Sequence, residues 1–125
     1  MNLLLDSHAL LWALAAPDKL SPAAKEAIRR PSNVVYYSPV SVWELEIKAA
    51  RGKLDLPPDW TGALDRTGIL EQPVTTADAV RAARLPPHHA DPFDRMLVAQ
   101  ALNGELQLVT RDAFAAAYGV PVLPA

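Results

Sequence analysis

Five carboxylates stand where acids have the means to meet: Asp6, Glu44, Asp91, Asp94 and Asp112. Asp6 directly follows the apolar run Leu3-Leu4-Leu5, and Asp112 closes Leu108-Val109-Thr110-Arg111-Asp112. Asp91 and Asp94 share the run Asp91-Pro92-Phe93-Asp94-Arg95, while Glu44 lies between Val42-Trp43 and Leu45. Acids drawn together repel one another, and their ionised state then needs a compensating cation. Hard ions with oxygen ligands suit this role, Mg²⁺ first and Mn²⁺ as the alternative. Such an ion acidifies a water and stabilises the charge that develops on a phosphodiester. Helix capping is the competing account, because an Asp at a helix entrance satisfies free N–H groups and complements the dipole. Capping suffices for Asp6, Asp94 or Asp112 taken singly. It does not suit Glu44, which falls inside an apolar helical stretch; its neighbour Glu46 is the acid expected on the solvated face.

The elements that must position these acids are legible as an alternation. Leu3–Leu5 reads as a buried strand, and Ser7–Ala16 as a helix with Leu10, Leu11 and Leu14 on one side, ended by Pro17. Ser21-Pro22 caps a helix through Arg30, and the β-branched and aromatic run Val34–Tyr37 is a second strand. Ser38-Pro39 opens a helix through Arg51, terminated by Gly52. A helix over Asp59–Arg66, a strand over Ile69–Val74 and a helix over Thr76–Arg84 follow. The proline-rich segment Leu85–Phe93 is irregular. Asp94–Asn103 is helical with Gly104 as terminator, Leu106–Thr110 a strand, Asp112–Tyr118 a helix and Val120–Leu123 a last strand. Strands alternating with helices imply a three-layer α/β/α domain around a parallel sheet of about five short strands. In such sheets ligands bind at the carboxyl ends of the strands, which is where most of the acids fall.

At 125 residues, half of them apolar, the chain fits one domain spanning 1–125 with a single hydrophobic core. There are no cysteines, which removes disulfides, thiolate metal sites and cysteine nucleophiles. The net charge of −2 supplies no strong field toward nucleic acid and counts against a simple nucleic-acid-binding module. The N-terminus lacks a basic leader, and the longest apolar run, Ala9–Ala16, falls short of the roughly 20 residues of a membrane span. The expectation is a soluble, cytoplasmic protein.

Four segments resemble the PIN-domain ribonucleases, in particular the VapC-like toxins of bacterial type II toxin–antitoxin pairs. They are the stretch from Leu3 to Trp12, the run Ser38-Pro39-Val40-Ser41-Val42-Trp43-Glu44, the stretch from His89 to Ala101, and Leu108 to Asp112. They occur in that family's order, and the resemblance extends from Asn2 to about Leu123. It implies a PIN-like fold and a Mg²⁺-dependent endoribonuclease with Asp6, Glu44, Asp94 and Asp112 as catalytic, metal-binding acids. By the same resemblance Asp91 is a supporting acid, and Thr110 is the hydroxyl that holds a metal-bound water. Ser7 stands where many relatives carry threonine and keeps the hydroxyl. Further implications are an RNA substrate, an antitoxin that wraps the toxin, and a homodimer formed through a helical face.

The remaining polar and aromatic residues are open to two readings each. Arg95 and Arg111 flank acids and are suited either to RNA phosphates or to pairing with those carboxylates. Lys48, Arg51 and Lys53 complement the dipole at the end of the third helix. Trp12, Trp43 and Trp60 serve as core or as anchors for a protein partner. His8 is expected to pack on the next helical turn, and His89 to shape its loop. A zinc cluster of His88, His89 and Asp91 is disfavoured without cysteine. Two rival classes lack a needed residue. A haloacid-dehalogenase-type phosphatase requires an acid two positions after Asp6, where His8 stands, and a response-regulator receiver requires an Asp after the third strand, where Val74-Thr75-Thr76 stands.

Overall fold

The computed structural model describes residues 1–125. Strand β1 (Asn2–Leu5) lies at the centre of a five-stranded sheet with β2 (Val34–Tyr37), β3 (Leu70–Glu71), β4 (Gln107–Thr110) and β5 (Val122–Pro124). The strand order is β3-β2-β1-β4-β5 and every pairing is parallel. Leu3, Leu4 and Leu5 are all fully buried, which a strand covered on both faces requires. Leu3, Leu5 and Val109 point to one side, where they pack with Leu10, Ala24, Leu45 and Leu64. These come from α1 (Ser7–Ala15), α2 (Pro22–Arg29), α3 (Pro39–Ala50) and α4 (Trp60–Thr67). Leu4 and Leu108 point to the other side, against Leu97, Val98 and Ala101 of α6 (Pro92–Gly104). Helix α5 (Thr76–Arg84) packs on α6. The result is the expected three-layer α/β/α arrangement, with burial of each core leucine contributing about 1.5–3 kcal/mol.

All the α-helices except α4 begin on side-chain caps. Asp6 Oδ1 accepts the Ala9 N–H at 2.8 Å, Ser21 Oγ that of Ala24 at 3.1 Å and Ser38 Oγ that of Val40 at 3.1 Å. Asp91 accepts from Phe93 N–H at 2.8 Å, so α6 starts at Pro92, two residues before the expected Asp94. At its far end Gly104 is still helical, and Glu105 takes the left-handed conformation instead (φ 54°).

Three further segments differ from the sequence reading. The third strand covers only Leu70–Glu71, not Ile69–Val74: Gln72 N–H still reaches Tyr37 O at 2.8 Å, and the chain then leaves the sheet at Pro73, whose ring fixes φ away from the strand value. The Gln100 carboxamide fills in there, donating to Gln72 O at 3.0 Å and to Pro73 O at 3.4 Å. Residues Ala113–Tyr118 form a 3-10 helix rather than an α-helix, closed by Gly119 (φ 80°). The last strand starts at Val122 and not at Val120, whose N–H still bonds back to Ala115 O at 3.4 Å. No helix is long and apolar enough to cross a membrane.

Candidate active site

The sheet reverses its strand order at β1, with β2 on one side and β4 on the other, and the crevice at the carboxyl ends of β1 and β4 is the position where such folds bind ligands. Asp6 leaves β1 with its backbone N–H on Val109 O at 3.1 Å. Asp112 leaves β4 two residues after Thr110, whose hydroxyl accepts the Asp112 N–H at 3.1 Å. Asp6 is only 7% exposed, and burial pushes its carboxyl above the usual range. The Thr110 hydroxyl, the Ala9 N–H and His8 oppose that rise, while the Asp112 charge adds to it. The two acids therefore feel one another across adjacent strands.

Glu44 and Asp94 approach from two helices. Ser7, the residue after Asp6, donates its hydroxyl to Glu44 Oε1 and so ties α3 to the end of β1. Lys48, one turn further along α3, places its ammonium 3.1 Å from Glu44 Oε2. Asp94 Oδ2 meets His89 Nε2 at 2.7 Å, and the His89 ring stacks on Phe114 with centroids 4.7 Å apart. Burial pushes the Asp94 carboxyl up to about 6; His89 opposes this, and the nearby charges of Asp91 and Glu44 reinforce it. Asp91 itself caps α6, with Phe93 N–H at 2.8 Å and Asp94 N–H at 3.3 Å.

The acids thus stand in two half-sites, Asp6 with Asp112 and Glu44 with Asp94 and Asp91, joined by the Ser7–Glu44 hydrogen bond. As the side chains rest, no three of them converge tightly enough to hold an ion jointly. Three of the acids have polar partners: Asp6 an amide, Glu44 a hydroxyl and an ammonium, Asp94 an imidazole. The donor set still fits a hard divalent cation in chemistry. It consists of carboxylate oxygens only, and two of its members carry raised pKa values from burial and like-charge neighbours. The site is an open edge and not a cavity. The largest cleft, about 450 Å³, lies around Arg29, Asn33, Val34 and Gly68, at the sheet's opposite end.

Several expected roles take a different form. Arg95 is neither free for phosphate nor paired with an acid: Nη1 donates to Pro86 O, His89 O and Tyr118 Oη, and Nη2 to Ala82 O and Leu85 O, at 2.8–3.3 Å. It clamps the Leu85–Asp91 loop and the end of α5, carbonyl interactions that no sequence pattern announces. Arg111 lies 4.1 Å over the Trp12 ring and donates to Lys19 O at 2.6 Å, also without a carboxylate partner. Trp60 is core, its indole N–H on Glu46 Oε1 at 2.9 Å, so Glu46 is not merely solvated. Trp43 is 62% exposed and meets Phe93 edge-on at 5.2 Å. His8 does pack on the next turn, 5.6 Å from Trp12. Lys48 is the site residue that sequence reasoning assigned only to the helix end; its i,i+4 spacing from Glu44 was the available signal.

A parallel sheet reversing at β1, with acids at the ends of β1 and β4 and one turn into α3 and α6, is a defined class of domain. Residues 3–119 match the family model of the PIN domain, and the chain belongs to that family. Within it, Ribonuclease VapC22 of Mycobacterium tuberculosis (strain ATCC 25618 / H37Rv) is 31% identical over 114 residues, covering 89% of this chain and 87% of its own. Among solved structures, VapBC2 from Rickettsia felis, bound to a DNA fragment from its promoter, superposes with a TM-score of 0.69 at 13% identity, covering 98% of both chains. VapBC-1 from nontypeable Haemophilus influenzae gives a TM-score of 0.68 at 14% identity, covering 98% of this chain and 97% of its own. VapBC-5 from Mycobacterium tuberculosis, a member of the VapBC family of toxin-antitoxin systems, gives 0.61 at 18%, covering 99% and 98%. These likenesses concern the fold.

Proposed function

We propose that this chain is a Mg²⁺-dependent endoribonuclease that acts as the toxin of a toxin–antitoxin pair. One observation carries the reading: the Ser7–Glu44 hydrogen bond joins the Asp6–Asp112 half-site to the Glu44–Asp94 half-site at the strand-order reversal. Membership in the PIN domain family and the similarity to a named ribonuclease support it. Asp6, Glu44, Asp94 and Asp112 would hold the ion. Bound there, a divalent cation acidifies water and offsets the negative charge that develops on a phosphodiester.

The protein's own groups do the positioning. Ser7 and Lys48 fix Glu44 from two sides, and His89 fixes Asp94 while stacked on Phe114. Thr110 orders the turn to Asp112 and lies beside Asp6. With Arg95 committed to carbonyls, Lys48 is the cation at the acids that has donors left for a substrate phosphate, and Arg111, braced on Trp12, is a second one at the rim. An open acidic edge suits a polymer better than a small metabolite. A cytoplasmic location, a cognate antitoxin and a homodimer belong to the same reading, on the family resemblance and on the VapBC complexes of like fold.

The test is incubation of the purified protein with structured RNA in Mg²⁺ or in EDTA, with cleavage ends mapped. Cuts that need the metal and vanish in Asp6→Asn are expected. Cleavage that persists in EDTA, or survives Asp6→Asn, overturns the assignment.

A further inference from the structure

Resting on the ribonuclease reading, we propose that Trp43, braced by Phe93, is a stacking platform for an unpaired nucleobase of the RNA strand next to the scissile phosphate. Trp43 directly precedes Glu44 on α3, and Phe93 directly precedes Asp94 on α6. Their rings meet edge-to-face, centroids 5.2 Å apart at 67°, so the aromatic pair spans the same seam that the two acids span.

The three tryptophans differ in what their faces meet. Trp60 is 5% exposed and bonded to Glu46. Trp12 is covered on one face by the Arg111 guanidinium at 4.1 Å, with His8 also packed on it. Trp43 meets Phe93 in a T-shaped contact and stays 62% exposed. An exposed indole with an aromatic neighbour at one side loses less rotamer freedom on stacking than a ring with none.

The electrostatics add a reason for such a platform. With 14 acidic against 12 basic residues, the chain has no general attraction for a polyanion, and Arg95 is engaged elsewhere. Stacking on an aromatic face supplies affinity that does not depend on charge, accepts every base, and requires the base to be unpaired. The platform therefore selects single-stranded or looped RNA at the cleavage point.

The experiment compares wild type with Trp43→Leu and Trp43→Phe on short unstructured RNA oligonucleotides in Mg²⁺, each carrying one abasic nucleotide at successive positions around the cut. Trp43→Leu is expected to raise KM roughly 5- to 30-fold with kcat little changed, in line with the energy of one base stack. Trp43→Phe should recover most of that loss. In wild type one abasic position beside the cut should raise KM similarly, and in Trp43→Leu that position should no longer matter. If wild type cleaves but Trp43→Leu shows the same KM, or keeps the full abasic penalty, the platform is refuted and the nuclease reading stands; the exposed face then belongs to a protein contact. If wild type cleaves none of the oligonucleotides and no structured RNA, both fall together.

Discussion

Helices α3 and α6 bring an acid to the same seam by the same local device and then treat it differently. Each opens on a side-chain cap followed by proline, Ser38-Pro39 and Asp91-Pro92, and each presents an aromatic residue immediately before its acid. Glu44 is then held by Ser7 and by a permanent cation from its own helix, Lys48. Asp94 is held by a titratable imidazole from an irregular loop, and that loop is itself fixed by Arg95. The α3 half is self-contained, whereas the α6 half depends on tertiary hydrogen bonds and carries its charge less well compensated. Two acids of one crevice thus divide between one held by a hydroxyl and an ammonium and one whose carboxyl burial and like charges push up to about 6.

The largest effect should come from breaking the undercompensated half. Asp94→Asn is expected to lower Mg²⁺-dependent RNA cleavage on the order of 10³-fold. It should at the same time leave the metal-free protein as stable or more stable at pH 7, because a neutral amide removes a buried, repelled charge. Glu44→Gln should lose comparable activity without that gain, since it leaves the Lys48 ammonium unpaired. Urea unfolding beside single-turnover cleavage separates the two; equal stability changes would erase the contrast.

Next comes Arg95→Ala, which removes the clamp from the α6 half alone. Leaving its carbonyl and hydroxyl acceptors without their charged donor should destabilise the domain by about 2–4 kcal/mol, read from denaturant midpoints. A change below 1 kcal/mol would show that the loop is held by other means.

The pH dependence of the metal-free protein follows from the raised Asp94 carboxyl. Between its ordinary value near 3.8 and about 6, the folded form holds a proton that the unfolded chain releases, so stability should fall as pH rises through that window. At about 1.4 kcal/mol per unit the loss is about 3 kcal/mol at most, with the raised Asp6 acting in the same direction. Asp94→Asn should flatten most of this slope, and saturating Mg²⁺ should also reduce it. Stability that instead climbs from pH 4 to 6 would contradict the burial of these acids.

The smallest effect belongs to the neutralised half. Lys48→Met should change folding stability by less than about 1 kcal/mol, as partly exposed ion pairs do. It should tighten Mg²⁺ binding modestly by freeing Glu44, and should make the salt dependence of RNA binding shallower by roughly 0.7 in logarithmic slope. An unchanged slope would remove Lys48 from the phosphate contacts.

What the sequence made legible follows the same division. Strand Val34–Tyr37 and helix Thr76–Arg84 lie where the sequence reading put them: a β-branched and aromatic run is a local signal, and the helix opens on a local Thr75–Asp78 capping box. That Asp6 follows the first strand and Asp112 the fourth was likewise readable from apolar runs leading to acids, whereas the pairing of those two strands comes from the structure. The role of Arg95 was not, since its partners are backbone carbonyls of residues as far back as Ala82, and carbonyls carry no residue identity. Nor was the length of β3, where Pro73 and a glutamine from a distant helix decide the end. The four acids expected around one or two ions stand as two linked half-sites, with a hydroxyl and an ammonium on Glu44 and an imidazole on Asp94, partners that no local pattern announces.

The stub at Leu70–Glu71 has an effect beyond the crevice. A flank of unpaired amides and carbonyls invites strands from other molecules, and here that flank is two residues long. Beyond it, the Gln100 side chain occupies the Gln72 and Pro73 carbonyls, and the proline ring withholds a donor. At that margin the sheet presents only a two-residue flank, so crowded copies of the chain find little backbone there to pair with, even with Leu70 half exposed.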